Sequence, residues 1–424
     1  MTPVASLPER PMLGRRELIA IIATTMSMNA LAIDSMLPAL DDIARDLGAV
    51  DGNRRQLVIG VYTIAMGIGS ILPGSFADRF GRRRVLLFAL AAYSSLALVA
   101  SLSRDFSTLL AARALVGILA AGLIVVPAAI IRDLYEGDEM ARLMSMISAV
   151  FITVPVLAPS LGQGILVFAS WRWIFASMAI ISGLLAVWIW FRLPETLPPE
   201  NRQAIHPMVI ATNMRTALTT RSSIGYVFGT ALVLGAMFGY VNSAQQLYSE
   251  SLGVAPATFP LLFGITAAAM GAASFINSKI VMRFGARRVS HTGVMIFILV
   301  SAVQVWSSYV HPGDIYWFVA LTGINFALLG FLMANFGSIA MQPFATIAGA
   351  ASSIQTVIRM LGASLVGVTI GQAYDGTAQP FAWSLLILSL IALLLVTFSE
   401  RGKLFTPPRP NRPRTSLPGI RGEP

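Results

Sequence analysis

Gly74-Ser75-Phe76-Ala77-Asp78-Arg79-Phe80-Gly81-Arg82-Arg83-Arg84 joins two long apolar runs, and its reading decides the fold. The run before it covers about residues 56–77 and the run after it about 85–102. Each is close to the roughly 20 apolar residues that cross a bilayer as a helix. The turn itself holds one acid among four arginines. A degenerate copy, Arg283-Phe284-Gly285-Ala286-Arg287-Arg288-Val289, lies 204 residues after Arg79-Phe80-Gly81-Arg82-Arg83-Arg84-Val85. The same offset carries the start of the first apolar run, near Leu18, to just before the seventh. A duplicated six-helix unit is the simplest source of that match.

Worked outward, the pattern gives twelve expected spans, at about 18–39, 56–77, 85–102, 107–131, 143–168, 173–192, 224–245, 259–281, 290–308, 315–340, 348–371 and 380–398. Asp41-Asp42, Asp51-Gly52-Asn53, His311-Pro312-Gly313-Asp314 and Asp375-Gly376 supply turn chemistry between them. The expected organisation is an N-tail (1–17), a first six-helix bundle (18–192), a linker (193–223), a second bundle (224–398) and a C-tail (399–424), the tail rich in Pro and Arg and expected to be disordered.

Composition agrees. Hydrophobic residues make up 56% of the 424 and charged residues 12%, and the mean hydropathy is +0.73. A soluble domain is about 25% charged. The net charge of +10 sits in short loops between apolar runs, which reads as membrane topology and not as a nucleic-acid face. There is no cysteine, so disulfide and thiolate chemistry are excluded. His206, His291 and His311 are far apart and no metal site is expected. No Walker loop, nucleophile–base pair or ligand cluster points to an enzyme.

With both termini placed in the cytoplasm, 23 of the 30 lysines and arginines fall on that side and five on the other, while Arg113 and Arg359 lie inside spans. That asymmetry sets the expected orientation.

Chemistry is expected where polar groups enter the apolar runs. Asp34, in Asn29-Ala30-Leu31-Ala32-Ile33-Asp34-Ser35-Met36-Leu37-Pro38, is the one acid of twenty not in a tail, a loop or a span end. Desolvation disfavours its charged form, which suits it to exchange a proton. The alternative is a solvated residue or helix-end cap near Pro38. Arg113, with Gly117 and Ala121 on its face, either tunes Asp34 or snorkels to the interface. Ser352, Gln355, Arg359 and Gly362 form a polar stripe, where Arg359 contacts an acidic substrate or is a structural cation. Tyr240, Asn325 and Asn335 are further cavity candidates, each also explicable as helix-packing hydrogen bonds. Pro155, Pro159 and Gly162 mark a bend or a static kink in the fifth span.

These residues resemble the major facilitator superfamily, and within it the drug:proton antiporter group and the Bcr/CflA multidrug exporters. The Gly74–Arg84 stretch is similar to the superfamily's loop 2–3 signature. Asp34-Ser35-Met36-Leu37-Pro38, Arg132-Asp133, Ala158-Pro159-Ser160-Leu161-Gly162, Trp171-Arg172-Trp173-Ile174-Phe175, Leu193-Pro194-Glu195-Thr196-Leu197 and Ala348-Gly349-Ala350-Ala351-Ser352-Ser353 carry the closer likeness. The resemblance implies an all-α membrane fold of two six-helix bundles. It implies Asp34 and Arg113 as the proton-coupling pair, and Gly74, Asp78, Arg79, Gly81, Arg82, Arg83, Pro155, Pro159 and Gly162 as gating residues. Val116 stands where glutamine is common, the proline order in the fifth span departs from the usual Gly-Pro form, and Arg359 is not a charged position of the family. The expected function is proton-coupled efflux of small molecules across a bacterial inner membrane, by a monomer, with the proton gradient in place of a cofactor. The alternative is transport of a polar or acidic metabolite on the same fold.

Overall fold

In the computed structural model the residues described are 14–49, 53–135, 137–198, 200, 212, 215–216 and 218–405, and within helices the side chains of 137, 138, 141, 142, 145, 148–152 and 345–350 stand outside that set. The expected N-tail as far as Leu13, the middle of the linker (mainly 201–211) and the C-tail from Thr406 therefore lie outside the described residues.

Those residues form helices joined by short turns. The first half contains α1 (Arg15–Asp34), α2 (Leu40–Asp46), α3 (Leu57–Gly69), α4 (Pro73–Phe80), α5 (Arg82–Ser101), α6 (Phe106–Ala120), α7 (Gly122–Leu134), α8 (Gly137–Phe168) and α9 (Arg172–Arg192). The second contains α10 (Arg221–Gln246), α11 (Phe259–Phe284), α12 (Ala286–Val310), α13 (Ile315–Met341), α14 (Ala348–Gln372) and α15 (Gln379–Ser399). Each expected span coincides with a helix or a broken helix. Ten are long and apolar enough to cross a membrane, and an eleventh is the pair α3–α4, bent by 49° at the break before Pro73. The fifth expected span is α8, whose described apolar part is the shorter Thr153–Phe168; its N-terminal turns carry Asp138, Glu139 and Arg142.

Two expectations need correction at the first span. It does not run unbroken to residue 39, and Asp34 is not in mid-helix. α1 ends at Asp34, and a short 3₁₀ turn at Leu37–Ala39 follows. Pro38 lacks the N–H that would continue the helix to the Asp34 carbonyl, and the Ser35 backbone N–H (3.2 Å) and Oγ (2.5 Å) both donate to Leu31 O at the helix end.

The internal repeat is a structural repeat. Gly81 (φ +99°) separates α4 from α5, and Gly285 (φ +81°) separates α11 from α12. Both turns need the left-handed backbone that glycine adopts without strain. At the other end of the molecule, Asp105 caps α6 by accepting from Thr108 N (2.8 Å), and that bond holds its carboxyl below the usual carboxylate range. Asp314 caps α13 through Tyr316 N and Trp317 N.

Packing sorts the helices into two bundles. α1 packs on α7, α8 and α9, α3 on α6, and α5 on α6 and α9. α10 packs on α13, α14 and α15, and α12 on α13 and α15. The bundles meet where α14 lies along α3 and α11 along α8. Small residues allow the approach between the bundles, where a Cβ on Gly67 would collide with Leu361 of α14, and within the first bundle, where one on Gly117 would collide with the Tyr62 carbonyl. The end where α1 begins and α15 finishes is called here the terminus end, and the opposite end the far end.

Candidate functional site

Asp34 is 5% exposed, so it is not the solvated residue of the alternative reading. No ion pair or hydrogen bond to its carboxyl is present among the described residues. Arg113 lies nearby on α6 and is 2% exposed, which excludes snorkelling. Its guanidinium stacks 4.2 Å from the Tyr62 ring centroid, its Nε donates to Val58 O (3.0 Å), and its Nη2 is buried without a partner. Tyr62 OH in turn donates to Asn29 Oδ1 (3.0 Å), and Asn29 Nδ2 donates to Ala120 O (3.2 Å). Arg113 and Ser35 line one small pocket with Tyr93, Met36 and Phe175. The structure thus brings Asp34 and Arg113 into one buried neighbourhood without pairing them, and adds Asn29 and Tyr62. Sequence reading missed those two; a tyrosine or asparagine in a span is common, and only the three-dimensional chain of contacts singles them out.

The gating candidates of the α4–α5 turn gather around Arg82, at the terminus end. Its Nη1 donates to Asp78 (2.5 Å) and its Nε to Asp133 (2.9 Å). Its backbone N–H donates to Glu195 Oε1 (2.8 Å). Glu195 also accepts from the Thr196 and Leu197 N–H groups, so a carboxylate sits at the N-terminus of α5, where the helix dipole favours it. A Cβ on Gly81 would run into that carboxylate. Arg79 lies over Phe80 and Arg83 over Trp190. Gly74 faces Val125. Asp133 and Glu195 were visible in sequence without a role. The described partners of Arg82 are Asp78 and Asp133 of the first bundle and Glu195 at the start of the linker, none of them in the second bundle.

The far end holds a cluster that sequence reading missed. Arg55 bridges Asp41 of the first half and Glu250 of the second, and Gln245 also donates to Asp41. Gln56 pairs with Gln246, Gln246 donates to Asn53 Oδ1 (2.9 Å), and Asn53 donates to Gln372 O and Tyr374 O. Tyr374 OH donates to Gln246 O (3.2 Å); burial pushes this hydroxyl up, which keeps it a donor. Deeper in, Ser364 Oγ donates to Thr63 O (2.8 Å). Among the described residues, every hydrogen bond and ion pair between the halves belongs to this region. The halves are closed against each other at the far end, and no described polar contact joins them at the terminus end.

The remaining candidates are placed as follows. Tyr240 is buried in an aromatic cluster, bonded to Tyr248 and Thr266. Asn335 pairs with Asn277, and Asn325 with Gln304. Gln355 donates to Ser223 Oγ and Ala340 O. All four spend their polar atoms inside the second bundle. Ser352 is exposed. Arg359 is half-buried and bonds only its own helix, to Gln355 O (3.2 Å) and Thr356 Oγ1 (3.0 Å). Pro155 and Pro159 lie in α8, and Gly162 receives the carbonyl of Ser35, the residue just past α1.

The chain matches the family model of the Major Facilitator Superfamily over residues 20–367. It is 30% identical over 385 residues to an uncharacterized MFS-type transporter, YdgK, of Bacillus subtilis, covering 90% of this chain and 94% of that one. It is 27% identical to a bicyclomycin resistance protein homolog of Haemophilus influenzae and 29% identical to the multidrug resistance protein MdtL of Klebsiella pneumoniae, each over 86% of this chain and 92% of the relative. The fold is similar to that of a D-xylose–proton symporter (TM-score 0.70, 17% identity, 91% of this chain and 97% of that one). It is also similar to a bacterial homolog of the lysosomal transporter Spinster in an inward-facing conformation (TM-score 0.68, 16% identity, 92% and 96%). Two helix bundles closed at one end, a buried carboxyl and cation inside one of them, and a family match over most of the length agree: the chain is a multi-pass membrane transporter of the major facilitator superfamily and not an enzyme.

Proposed function

We propose that the protein exports small organic molecules, drugs among them, across a bacterial inner membrane in exchange for protons. It works by alternating access, as a monomer, with both termini in the cytoplasm and with the proton gradient in place of a cofactor. The names of the relatives support the substrate class, and the excess of arginine at the terminus end supports the orientation.

The observation that carries the reading is Asp34: a carboxyl 5% exposed, with no cation bonded to it among the described residues, and next in the chain to Ser35, which lines one small pocket with a buried arginine that has a spare N–H. A carboxyl so placed is stable when neutral and becomes stable as an anion only if the Arg113 guanidinium or water reaches it. A cycle follows. The carrier takes a proton at Asp34 while open to the far side, closes at the far end as seen here, and yields the proton toward the terminus side as substrate enters. Exchange requires that proton and substrate favour opposite occupancy of the same states.

Asp34→Asn keeps the shape and removes the titration. In inverted vesicles given only a proton gradient, wild type is expected to accumulate substrate dyes and Asp34→Asn to accumulate none, while equilibrium binding survives. Accumulation by the Asn variant at wild-type level sinks the proposal.

A further inference from the structure

Arg359 has no role in the proton site, and its surroundings set it apart from the other intramembrane cation. Arg113 is enclosed, stacked on Tyr62 and bonded to another helix. Arg359 is half-buried, and its described bonds are all to its own helix: Nε to the carbonyl of Gln355 and Nη2 to the Thr356 hydroxyl. Neither partner carries charge, and no described carboxylate forms an ion pair with it. Its Nη1 has no hydrogen bond among the described residues, and it is not among the buried polar atoms left unpartnered. That nitrogen is therefore reachable.

The position is equally specific. Two residues further along α14, Leu361 packs against Gly67 of the first bundle. Arg359 thus sits on the terminus side of that contact, under the seam where the bundles meet. Across from it on α13 is Gly337, where a Cβ would stand 3.5 Å from Nη1. The missing side chain leaves room beside the guanidinium. One turn before Gly337, Met333 packs against both apolar clusters of the molecule, each of which mixes residues of the two halves. Thioethers adapt to ligands of varied shape. A cation with an open donor, a gap beside it and a flexible apolar wall next to it would complement one kind of molecule.

We propose that Arg359 is a substrate-selecting residue and that the transported compounds include amphipathic organic anions, held by a carboxylate or similar group on Nη1 beside Gly337. This rests on the transport reading above and narrows its substrate class. It also explains the cation's local bonds: they aim the fork without neutralising it, and a guanidinium offers a carboxylate two parallel donors.

The test uses full-length protein in lipid nanodiscs, with empty nanodiscs as control, and two dyes of one skeleton: rhodamine B, which has a free carboxylate, and its ethyl ester. Wild type is expected to bind the carboxylate form more tightly than the ester. Arg359→Gln should weaken the carboxylate form about tenfold or more, the loss of a charge-assisted hydrogen bond, and change the ester less than about twofold. Arg359→Lys should retain part of the preference. Gly337→Val, which fills the gap and leaves the charge, should weaken the carboxylate form without lowering Tm. The proposal is overturned if wild type shows no carboxylate preference or binds neither dye, or if Arg359→Gln weakens both dyes alike. Proton-driven uptake in vesicles is read separately. Selective binding without uptake removes the antiport reading and leaves the substrate class standing; uptake without selectivity does the reverse.

Discussion

Arg55→Ala removes the ion pairs that hold the far end shut. Arg55 is 14% exposed and lies between Asp41, 33% exposed, and Glu250, 41% exposed. Fully exposed pairs contribute about 0–1 kcal/mol, and charge-assisted bonds in enclosed sites about 1.5–3 kcal/mol. An arginine this enclosed, between two half-open acids, falls between those limits, so the pair of contacts is worth about 1–2 kcal/mol to the closed far end. Neither acid is stranded by the change, because Asp41 keeps Gln245 and Glu250 returns to water. The far-open population should therefore rise about 5- to 30-fold, by the usual factor of ten per 1.4 kcal/mol. The sequence has no cysteine, so thiol labels can be placed at will. Spin labels at Ser107→Cys and Ala257→Cys, both exposed residues at the far end of opposite halves, report the opening as a second, longer distance by pulsed electron resonance. A distance distribution identical to that of the Arg55 protein, with and without substrate dye, would show that these ion pairs do not bias the far end, and the reasoning would fail.

Three further outcomes are expected. Asp78→Asn should insert normally and slow transport severalfold, while Asp133→Asn should lower Tm more, because Asp133 is the more enclosed partner of Arg82 (18% against 43% exposed); equal melting temperatures refute the ranking. Gly81→Ala should destabilise more than Gly285→Ala, since both carry positive-φ strain of about 1–3 kcal/mol but only the first drives a Cβ into Glu195; a chemical denaturation series on the two variants decides it. Reporter fusions after Ile205 and after Pro312 should report opposite sides of the membrane, and the same side for both would refute the proposed orientation.

How far the sequence could be read depended on how unusual each residue was. Asp34 stood out because a carboxyl among apolar residues has few neutral explanations, though the choice between a mid-span site and the helix end near Pro38 had to come from the structure. The paired turns at Gly81 and Gly285 were legible because glycine and flanking arginines repeat at a fixed offset. Asp41, Arg55 and Glu250 looked like ordinary turn and loop-edge charges. Nothing in their spacing says that the halves meet there, since the pairing spans some 200 residues of chain. Tyr240, Asn325, Asn335 and Gln355 had the right chemistry for a cavity, yet a buried amide or hydroxyl serves helix packing equally well, and the structure spends each of them inside the second bundle.

α8 touches both halves. Gly162 receives the Ser35 carbonyl, one residue from Asp34, and Val156 of the same helix leans on Gly264 of α11. There is no slack at the first contact, so any shift of the chain beside Asp34 must be taken up by α8. Pro159 lies between the two contact points and removes a hydrogen bond from the helix there. In the proposed cycle this weak point serves as a soft joint between the part of α8 that touches Ser35 and the part that leans on the second half. A soft joint lets the charge state of one carboxyl alter the pressure on the seam without forcing the bundles apart each time. In that proposed cycle proton loading acts as a bias on the equilibrium between open and closed forms, and the final decision is left to whatever occupies the space between the bundles.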